Sequence, residues 1–468
     1  MKAKTNRGTL KETTHRESKL PGPTVEEKLV AGKALREKVT RTSHARWVRP
    51  ADRADPIELL KKADRGRLAE LLPIRYGRMQ HSPFGFFRGA DAVMAADLQD
   101  TPNTGLRVQA CGDCHISNFG GFGSPERQLV FDINDFDETL NAPWEWDVKR
   151  LATSIVLAGR EMGMRESHCS EAVIEAVKSY REHMNEYARM RALEVWYSQL
   201  NAAILIQDAK TMGAKQYWER AEVKAKLQTA EHVFPKITDV VKGRPHIIDN
   251  PPLVYHPRQM LKLGERVRKM FHSYRLTLPD ERRVILDRYE IVDVARKVVG
   301  VGSVGTRCAI VLLMAGQHDP LLLQFKEALP SVFEPYAGKS RYANHGERVV
   351  TGQRMLQAAS DIFLGWTRDE EGHDYYFRQL RDMKMTMEVE TMPLADWIEY
   401  IEFCGQTLAR AHARTGNPAL IAGYLGKNGT FDSAIGTFAA EYADQTESDH
   451  AAFVKAIRTG RIQANIKV

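Results

Sequence analysis

The sequence predicts an α+β protein with a helical large lobe and a smaller β-rich lobe. Residues 51–290 contain long runs with apolar side chains three and four positions apart, which is typical of helices. Residues 291–390 contain β-branched and apolar runs separated by glycine and turn residues, which is typical of strands. Helical spacing returns in residues 391–468. We therefore expect these last helices to complete the large lobe.

The composition is that of an ordinary globular protein. The chain has 468 residues, of which 43% are hydrophobic and 27% are charged, so it can form large cores. No apolar run approaches the roughly 20 residues that span a bilayer, and the first residues lack the apolar segment of a signal peptide. Five cysteines, an odd number, argue against a disulfide framework. We expect a cytoplasmic protein with no membrane span.

The net charge of +7 belongs to the first fifty residues. Residues 1–50 hold 13 Lys and Arg against 5 Asp and Glu, whereas the remainder holds 54 against 55. This pattern predicts a basic, flexible, solvated arm. Contact of the arm with nucleic acid, anionic lipid or an acidic partner is the alternative.

Polar residues that are able to take part in catalysis or metal binding are concentrated in residues 109–150, among glycine-rich turns. This stretch predicts a loop, a strand, a turn and a second strand. Asp113 and Asn118 lie in the loop, and Asp132 and Asp135 lie at the end of the second strand. Carboxylates at strand ends suit a divalent-metal and phosphate site, because Mg²⁺ takes oxygen ligands and substrate phosphates.

A second motif is a glycine-rich loop followed by a β-branched run at residues 306–313. A strand after the glycines favours the hairpin that covers nucleotide phosphates in kinases. A dinucleotide-binding unit of an oxidoreductase would require a helix there, and a purely structural hairpin is the other alternative. The candidate phosphate-binding residues are Gly300, Gly302, Ser303, Gly305 and, on the next strand, Lys326.

The two motifs together predict roles for individual residues. Asp113 and Asn118 have the D-x-x-x-x-N spacing of a kinase catalytic loop. Asp113 would orient or deprotonate an acceptor hydroxyl, and Asn118 with a second carboxylate would hold Mg²⁺. Asp132 is the first choice for that carboxylate and Asp135 the second, with Asp137 a further competitor.

The sequence leaves the partner of Lys326 open. Glu347 lies near the start of a predicted helix, where the pairing glutamate of a kinase would be. Gln353 and Glu327 are rival partners.

Three segments resemble aminoglycoside-phosphotransferase-like kinases. CGDCHISN at 111–118 resembles their catalytic loop HGDxHxxN, with Cys111 in place of the usual histidine. VFDINDFDE at 130–138 resembles their metal-binding strand, and PWEWDVKRLATSI at 143–155 resembles a downstream helix that would make Asp147 a structural aspartate. The resemblance implies a two-lobe protein-kinase-like fold.

The order of the motifs differs from that of ordinary kinases, because the catalytic loop precedes the glycine loop by about 190 residues. If both motifs are genuine, the fold is circularly permuted, which proteins tolerate at exposed boundaries. Residues 397–414 resemble the helix that normally precedes the catalytic loop, and would then return beside Asp113. His412, near its end, is predicted to be a packing residue.

Nearly the whole chain also resembles a bacterial family labelled a domain of unknown function and grouped with the kinase-like superfamily. The resemblance implies an ATP- and Mg²⁺-dependent phosphotransferase that acts on an unknown hydroxyl acceptor. A nucleotide-binding pseudokinase that serves as a scaffold is one alternative. A kinase-fold enzyme that transfers AMP is another, because a fold does not determine a chemistry.

The cysteines of the loop allow other interpretations. Cys111, Cys114 and His115 match C-x-x-C-H, the attachment motif of c-type haem, and could also contribute to a zinc site. The haem interpretation requires export, and a zinc site lacks a second C-x-x-C pair. Packing as small apolar side chains is the simplest role for cysteines.

Overall fold

The computed structural model describes residues 22–258, 260–298, 300–380, 383–387 and 389–465. The helices are α1 (Val25–Ala34), α2 (Pro56–Ala63), α3 (Leu72–Gln80), α4 (Pro83–Gly89), α5 (Asp91–Leu98), α6 (Trp144–Glu161), α7 (Glu166–Tyr187), α8 (Ala192–Tyr197), α9 (Ala202–Asp208), α10 (Met212–Lys226), α11 (Ala230–Ile237), α12 (Met260–Leu276), α13 (Asp280–Leu286), α14 (Glu334–Ala337), α15 (His345–Leu356), α16 (Leu394–Thr415), α17 (Pro418–Leu425) and α18 (Thr430–Arg458). Among these helices, none is both long enough and apolar enough to cross a bilayer.

The strands form antiparallel sheets. They are β1 (Arg107–Ala110), β2 (Phe119–Gly123), β3 (Leu129–Ile133), β4 (Leu140–Pro143), β5 (Leu200–Asn201), β6 (Thr238–Val241), β7 (Arg244–Ile247), β8 (Val254–Tyr255), β9 (Glu290–Lys297), β10 (Cys308–Met314), β11 (Pro320–Glu327), β12 (Gly365–Arg368), β13 (Asp374–Gln379) and β14 (Met385–Thr386). The largest sheet has six strands in the order β12-β13-β11-β10-β9-β8. A smaller sheet has the order β14-β2-β3-β5. The predicted α+β class is confirmed.

The largest core joins the first helical half to the C-terminal helices. Helices α6, α7, α16 and α18 pack together and bury aromatic residues such as Trp144 and Trp397. α16 lies close against α7 at Gly405, where an added Cβ would lie 2.2 Å from the Ala176 carbonyl oxygen. Any side chain at Gly405 would push the two helices apart.

A second core lies between the six-stranded sheet and α12. Tyr274 of α12 stacks on Phe377 of β13 with ring centroids 4.2 Å apart. Val267 and Met270, on the same face of α12, are also buried in this core. β8 pairs with β9, and α12 and α13 contribute to this core, although all three lie before residue 291, where the sequence predicts that the β-rich lobe begins. The apolar face of α12 packs on the sheet. The spacing of apolar residues in α12 indicates that this face is buried, but not which element covers it.

The described part of the predicted basic arm packs on the C-terminal helices. α1 and α17 approach through reciprocal glycines: an added Cβ on Gly32 would lie 2.1 Å from the Leu420 carbonyl oxygen, and one on Gly423 would lie 2.2 Å from that of Leu29. Arg36 donates a 2.6 Å hydrogen bond to the carbonyl of Gly423. From Val25 onward the chain therefore differs from a solvated tail; residues 1–21 lie outside the described part.

A buried ion pair links α16 to β3. Arg410 Nη2 lies 2.6 Å from Asp132 Oδ1, and the two side chains are only 2% and 0% exposed. We expect Arg410→Met to lower the free energy of unfolding by about 3–5 kcal/mol, because the carboxylate of Asp132 is left buried without its partner. Urea denaturation measures the change.

The control for this prediction is Lys61→Ala, which removes an exposed ion pair with Glu58. Such pairs contribute at most about 1 kcal/mol. Equal effects of the two substitutions would contradict a structural role for the buried pair.

Candidate active site

A polar cleft of about 610 Å³ lies where the six-stranded sheet faces the loop of residues 111–118. It brings together most of the residues that the sequence singles out. The predicted residues that line it are Asp113, Asn118, Asp135, Gly300, Gly302, Ser303 and Lys326. Asp132, Gly305 and Glu347 do not line it.

The loop of residues 111–118 is held from behind by Asp147, in the first turn of α6. Its carboxylate accepts hydrogen bonds from the backbone N–H groups of Cys111, at 2.8 Å, and Gly112, at 3.1 Å. His412 of α16 contributes a third contact, with Nε2 3.2 Å from Asp147 Oδ2. All three side chains, those of Asp147, His412 and Cys111, are buried. Asp147 and His412 therefore position the loop and do not reach the cleft.

Asp113 presents its carboxylate at one wall of the cleft. Arg150 of α6 donates to Oδ1 through Nε at 2.8 Å. Asn118 Nδ2 donates to the backbone carbonyl of Asp113 at 2.7 Å, which ties the two residues of the D-x-x-x-x-N motif together. His115 Nε2 lies 3.5 Å from Asp113 Oδ2. Burial and the charges of Arg88 and Arg150 lower the pKa of His115 well below its usual value, so its imidazole is neutral.

The glycine-rich loop connects β9 to β10 and faces Asp113. An added Cβ on Gly302 would lie 3.9 Å from Asp113 Oδ2, so the two motifs are in near contact. The buried side chain of Arg75 holds the loop by donating to the carbonyls of Val301, at 2.5 Å, and Gly302, at 2.9 Å. Gly305, at φ +95, closes the loop outside the cleft. The segment after Gly305 is a strand, whereas a dinucleotide-binding unit requires a helix there.

Lys326 of β11 forms an ion pair with Asp137 across the cleft. Asp137 also accepts hydrogen bonds from Ser303 Oγ at 3.1 Å and from Tyr376 OH at 2.8 Å. Burial alone would raise the pKa of Asp137, but Lys326, the hydrogen bond from Tyr376 and the charge of Arg378 hold that pKa below its usual value. Glu347, the predicted partner of Lys326, lies instead in the first turn of α15, outside the cleft.

The two candidate metal carboxylates occupy different environments. Asp132 is fully buried and accepts hydrogen bonds from Arg410 at 2.6 Å and from the backbone N–H of Ala358 at 2.9 Å. Asp135 lines the cleft, where burial and the neighbouring charge of Asp137 raise its pKa. Asp132 belongs to β3 and Asp135 follows that strand, so only the latter is at the cleft.

The cleft also contains charged residues that the sequence analysis did not assign to the site. The additional acids are Asp91 and Glu138, and the basic residues are Arg88, Lys224, Lys297, Arg378 and Lys384. Glu138 belongs to the acidic run after β3, so its position in sequence was a usable indication. The basic residues come from five separate segments without a shared motif. Only the tertiary structure brings them together.

The cysteines are free and buried in the part of the chain that the structure describes. Cys111, Cys114 and Asp147 offer ligand atoms within 4.8 Å of one another, and His115 is not part of this group. Burial raises the pKa of both thiols, and a metal ligand has to be a thiolate. The group has the character of tightly packed interior side chains.

The fold and the cleft together define an α+β protein with an acidic loop, a glycine-rich hairpin and a buried lysine around one cavity. The chain belongs to a bacterial family of uncharacterized proteins, domain of unknown function 2252, whose profile matches residues 67–456. No curated protein and no solved structure matches the chain.

The pKa of Glu138 predicts how stability varies with pH. Burial, with the charge of Asp91 second, raises this pKa from 4.5 to about 8. Between these values the folded protein keeps a proton that the unfolded chain releases, so the free energy of unfolding falls as pH rises from about 4.5 to 8. We expect Glu138→Gln to remove this dependence. The free energy of unfolding of the variant, relative to that of wild type, should then be higher at pH 8 than at pH 5 by more than about 1 kcal/mol.

Urea denaturation at several pH values between 5 and 8 tests this prediction. Glu126→Gln is the matched control, because Glu126 is exposed at the turn between β2 and β3. Identical pH profiles for wild type and Glu138→Gln would show that Glu138 does not hold the proton.

Proposed function

We propose that the protein is an ATP- and Mg²⁺-dependent phosphotransferase that acts on a hydroxyl group. The observation that carries the proposal is the near contact of two motifs: Gly302 of the glycine loop stands opposite Asp113, with Lys326 and Asp135 lining the same cleft. Phosphoryl transfer depends on placing a nucleotide, a metal ion and an acceptor in line, and on stabilising the developing charge. One cleft holds side chains suited to each task.

The β-rich wall of the cleft suits a nucleoside triphosphate. Burial alone would lower the pKa of Lys326, but the carboxylates of Asp135 and Asp137 raise it, so the side chain is an ammonium group. Such a charge can pair with phosphate oxygens, and backbone N–H groups of the glycine loop can donate to them. The volume of about 610 Å³ lies within the range of about 300–1,000 Å³ usual for ligand pockets.

The opposite wall suits Mg²⁺, because Asn118 and Asp135 offer the oxygen ligands that this ion prefers. Asn118 uses its Nδ2 on the loop backbone, so Oδ1 is the ligand atom. Asp135 is favoured over Asp132, because the carboxylate of Asp132 is occupied by Arg410. When bound, Mg²⁺ would neutralise charge on the transferred phosphoryl group.

Asp113 is the candidate catalytic residue. Arg150 and the Asn118 amide hold it in one orientation, with its carboxylate in the cleft. The carboxylate can accept the hydrogen bond of an acceptor hydroxyl and take its proton as the oxygen attacks the γ-phosphorus of ATP, with ADP as the leaving group. The imidazole of His115 beside it is neutral, and its lowered pKa makes it a poor acceptor for that proton.

The proposal includes a circularly permuted, kinase-like two-lobe fold. Its support is the position of α16, which is late in the chain but reaches both early motifs. Arg410 pairs with Asp132 on β3, and His412 contacts Asp147 behind the catalytic loop. The sheet that carries Lys326 lies in sequence between these two helical parts, as expected for an inserted small lobe.

Nucleotide binding provides the first test. We expect isothermal titration calorimetry to detect ATP binding that requires Mg²⁺. Lys326→Ala is expected to weaken binding at least about tenfold, because a charge-assisted contact is lost, and Asp135→Asn to abolish the binding that Mg²⁺ promotes, because a metal ligand is lost.

Lys339→Ala, which removes an exposed lysine outside the cleft, is the matched control and should bind ATP as wild type does. Absence of ATP binding by the folded wild-type protein would refute the proposal. Binding that survives both cleft substitutions would place the nucleotide elsewhere.

Product analysis provides the second test. We expect ADP to be the product, and Asp113→Asn to lower turnover by about 10²–10⁴-fold while ATP affinity changes little, because Asp113 acts on the acceptor. Asp100→Asn, at an exposed position, is the control. Pyrophosphate in place of ADP would indicate AMP transfer, and binding without turnover in the presence of candidate acceptors would indicate a pseudokinase scaffold.

A further inference from the structure

Two histidines and an aspartate converge at a second position, away from the cleft. His246 belongs to β7, His256 follows β8, and Asp293 belongs to β9. Asp293 Oδ2 lies 3.0 Å from His246 Nδ1 and 3.2 Å from His256 Nε2. The two imidazole rings are stacked, with centroids 4.2 Å apart. None of the three residues lines the cleft.

These distances are those of hydrogen bonds, and they also suit ligands around one small ion. A tetrahedral Zn²⁺ has bonds of about 2.0–2.1 Å to nitrogen and oxygen, which places its ligand atoms about 3.3–3.4 Å apart. The two distances to Asp293 Oδ2 are close to this separation, and all three candidate ligand atoms lie within 4.8 Å of one another. Two imidazoles and a carboxylate are a ligand set that suits zinc.

The surroundings orient the ligand atoms. His256 Nδ1 lies 2.7 Å from Asp249 Oδ1, so Nδ1–H can donate to that carboxylate, and Nε2, which contacts Asp293 at 3.2 Å, is the atom left to bind an ion in place of its proton. Metal-bound histidines usually have such a carboxylate behind them. The backbone N–H groups of Ile247, at 2.7 Å, and Val294, at 2.8 Å, donate to Asp293 and hold its carboxylate in place.

The three side chains differ in how far they are buried. The side chains of Asp293 and His256 are 8% and 11% exposed, whereas that of His246 is 40% exposed. An ion could therefore enter beside His246, whose ring would turn out of its stack on His256 to direct Nδ1 at the ion. Three protein ligands leave the fourth tetrahedral position to solvent, the arrangement of an open zinc site.

We propose that His246, His256 and Asp293 form a binding site for Zn²⁺, with Asp249 as the positioning residue behind His256. A bound ion joins the β6–β7 hairpin and the segment after β8 to β9. β9 ends at Lys297, which lines the cleft, and continues into the glycine loop. The ion would stiffen the strand that carries this loop. The metal site does not depend on the proposed phosphotransferase activity.

A titration with Co²⁺, a spectroscopic substitute for Zn²⁺, tests the site. Metal-free full-length protein is titrated in millimolar Mg²⁺, which competes with Co²⁺ for carboxylates elsewhere on the protein. We expect one equivalent of Co²⁺ to produce visible absorption, and one equivalent of Zn²⁺ to abolish it. Asp249→Asn is expected to weaken binding about 10–100-fold, the usual effect of losing the carboxylate behind a metal-bound histidine.

His246→Ala removes a ligand at the most exposed position, so the fold should survive, as circular dichroism can verify. Its loss of affinity should exceed that of Asp249→Asn. His318→Ala, at an exposed turn between β10 and β11, is the matched control and should bind as wild type does.

Two results would overturn the proposal. If wild type binds no Co²⁺ at micromolar concentrations, the three residues are a hydrogen-bonded cluster with His256 bridging Asp249 and Asp293. If His246→Ala binds as wild type does, the ion lies at another site.

Discussion

The ion pair between Lys326 and Asp137 is the interaction on which the rest of the cleft depends. Its members are 189 residues apart in sequence and come from the two halves of the site, the acidic segment after β3 and the six-stranded sheet. Lys326 is 3% exposed and Asp137 is 24% exposed, so each charge is poorly solvated and is stabilised by the other. Ser303 and Tyr376 bond the same carboxylate, which fixes the sheet and the glycine loop against the acidic segment.

The gathering of many charged side chains around this cleft is unfavourable for the stability of the fold. Five carboxylates and six Lys or Arg side chains line one cavity, and burial shifts the pKa of Asp91, Asp135 and Glu138 upward. Buried charged side chains contribute little to the stability of a fold unless each of them is paired with an opposite charge. Groups with shifted pKa values gathered in a cleft are typical of binding and catalytic sites. In the proposed function, these charges would pair with a metal ion and with phosphate groups.

The C-terminal helices support this site from behind. α16 contacts β3 through Arg410 and, through His412, contacts Asp147 of α6, which bonds the loop of residues 111–118; it lies almost three hundred residues after that loop in the chain. These contacts are fully buried, so the geometry of the loop depends on the complete fold and not on local turns. The site is thus assembled from three parts of the chain, which local sequence motifs can only suggest one at a time.

The sequence by itself determined the features that depend only on residues close together in the chain. Periodicity identified the helices and the strands β9, β10 and β11, because side-chain spacing reports which face of an element is buried. The glycine loop, and the loop that carries Asp113 and Asn118, were recognisable because their chemistry requires fixed spacing. This much was sufficient for the α+β class and for seven of the residues that line the cleft.

Only the tertiary structure decided which distant groups meet. Asp132 and Asp135 are equivalent in a sequence motif, but one is paired with Arg410 and the other lines the cleft. The partner of Lys326, the basic residues from separate segments and the packing of α1 on α17 likewise depend on contacts far apart in sequence. Periodicity reports that a side chain is buried and not what it is buried against, and these partners are set by the packing of whole elements.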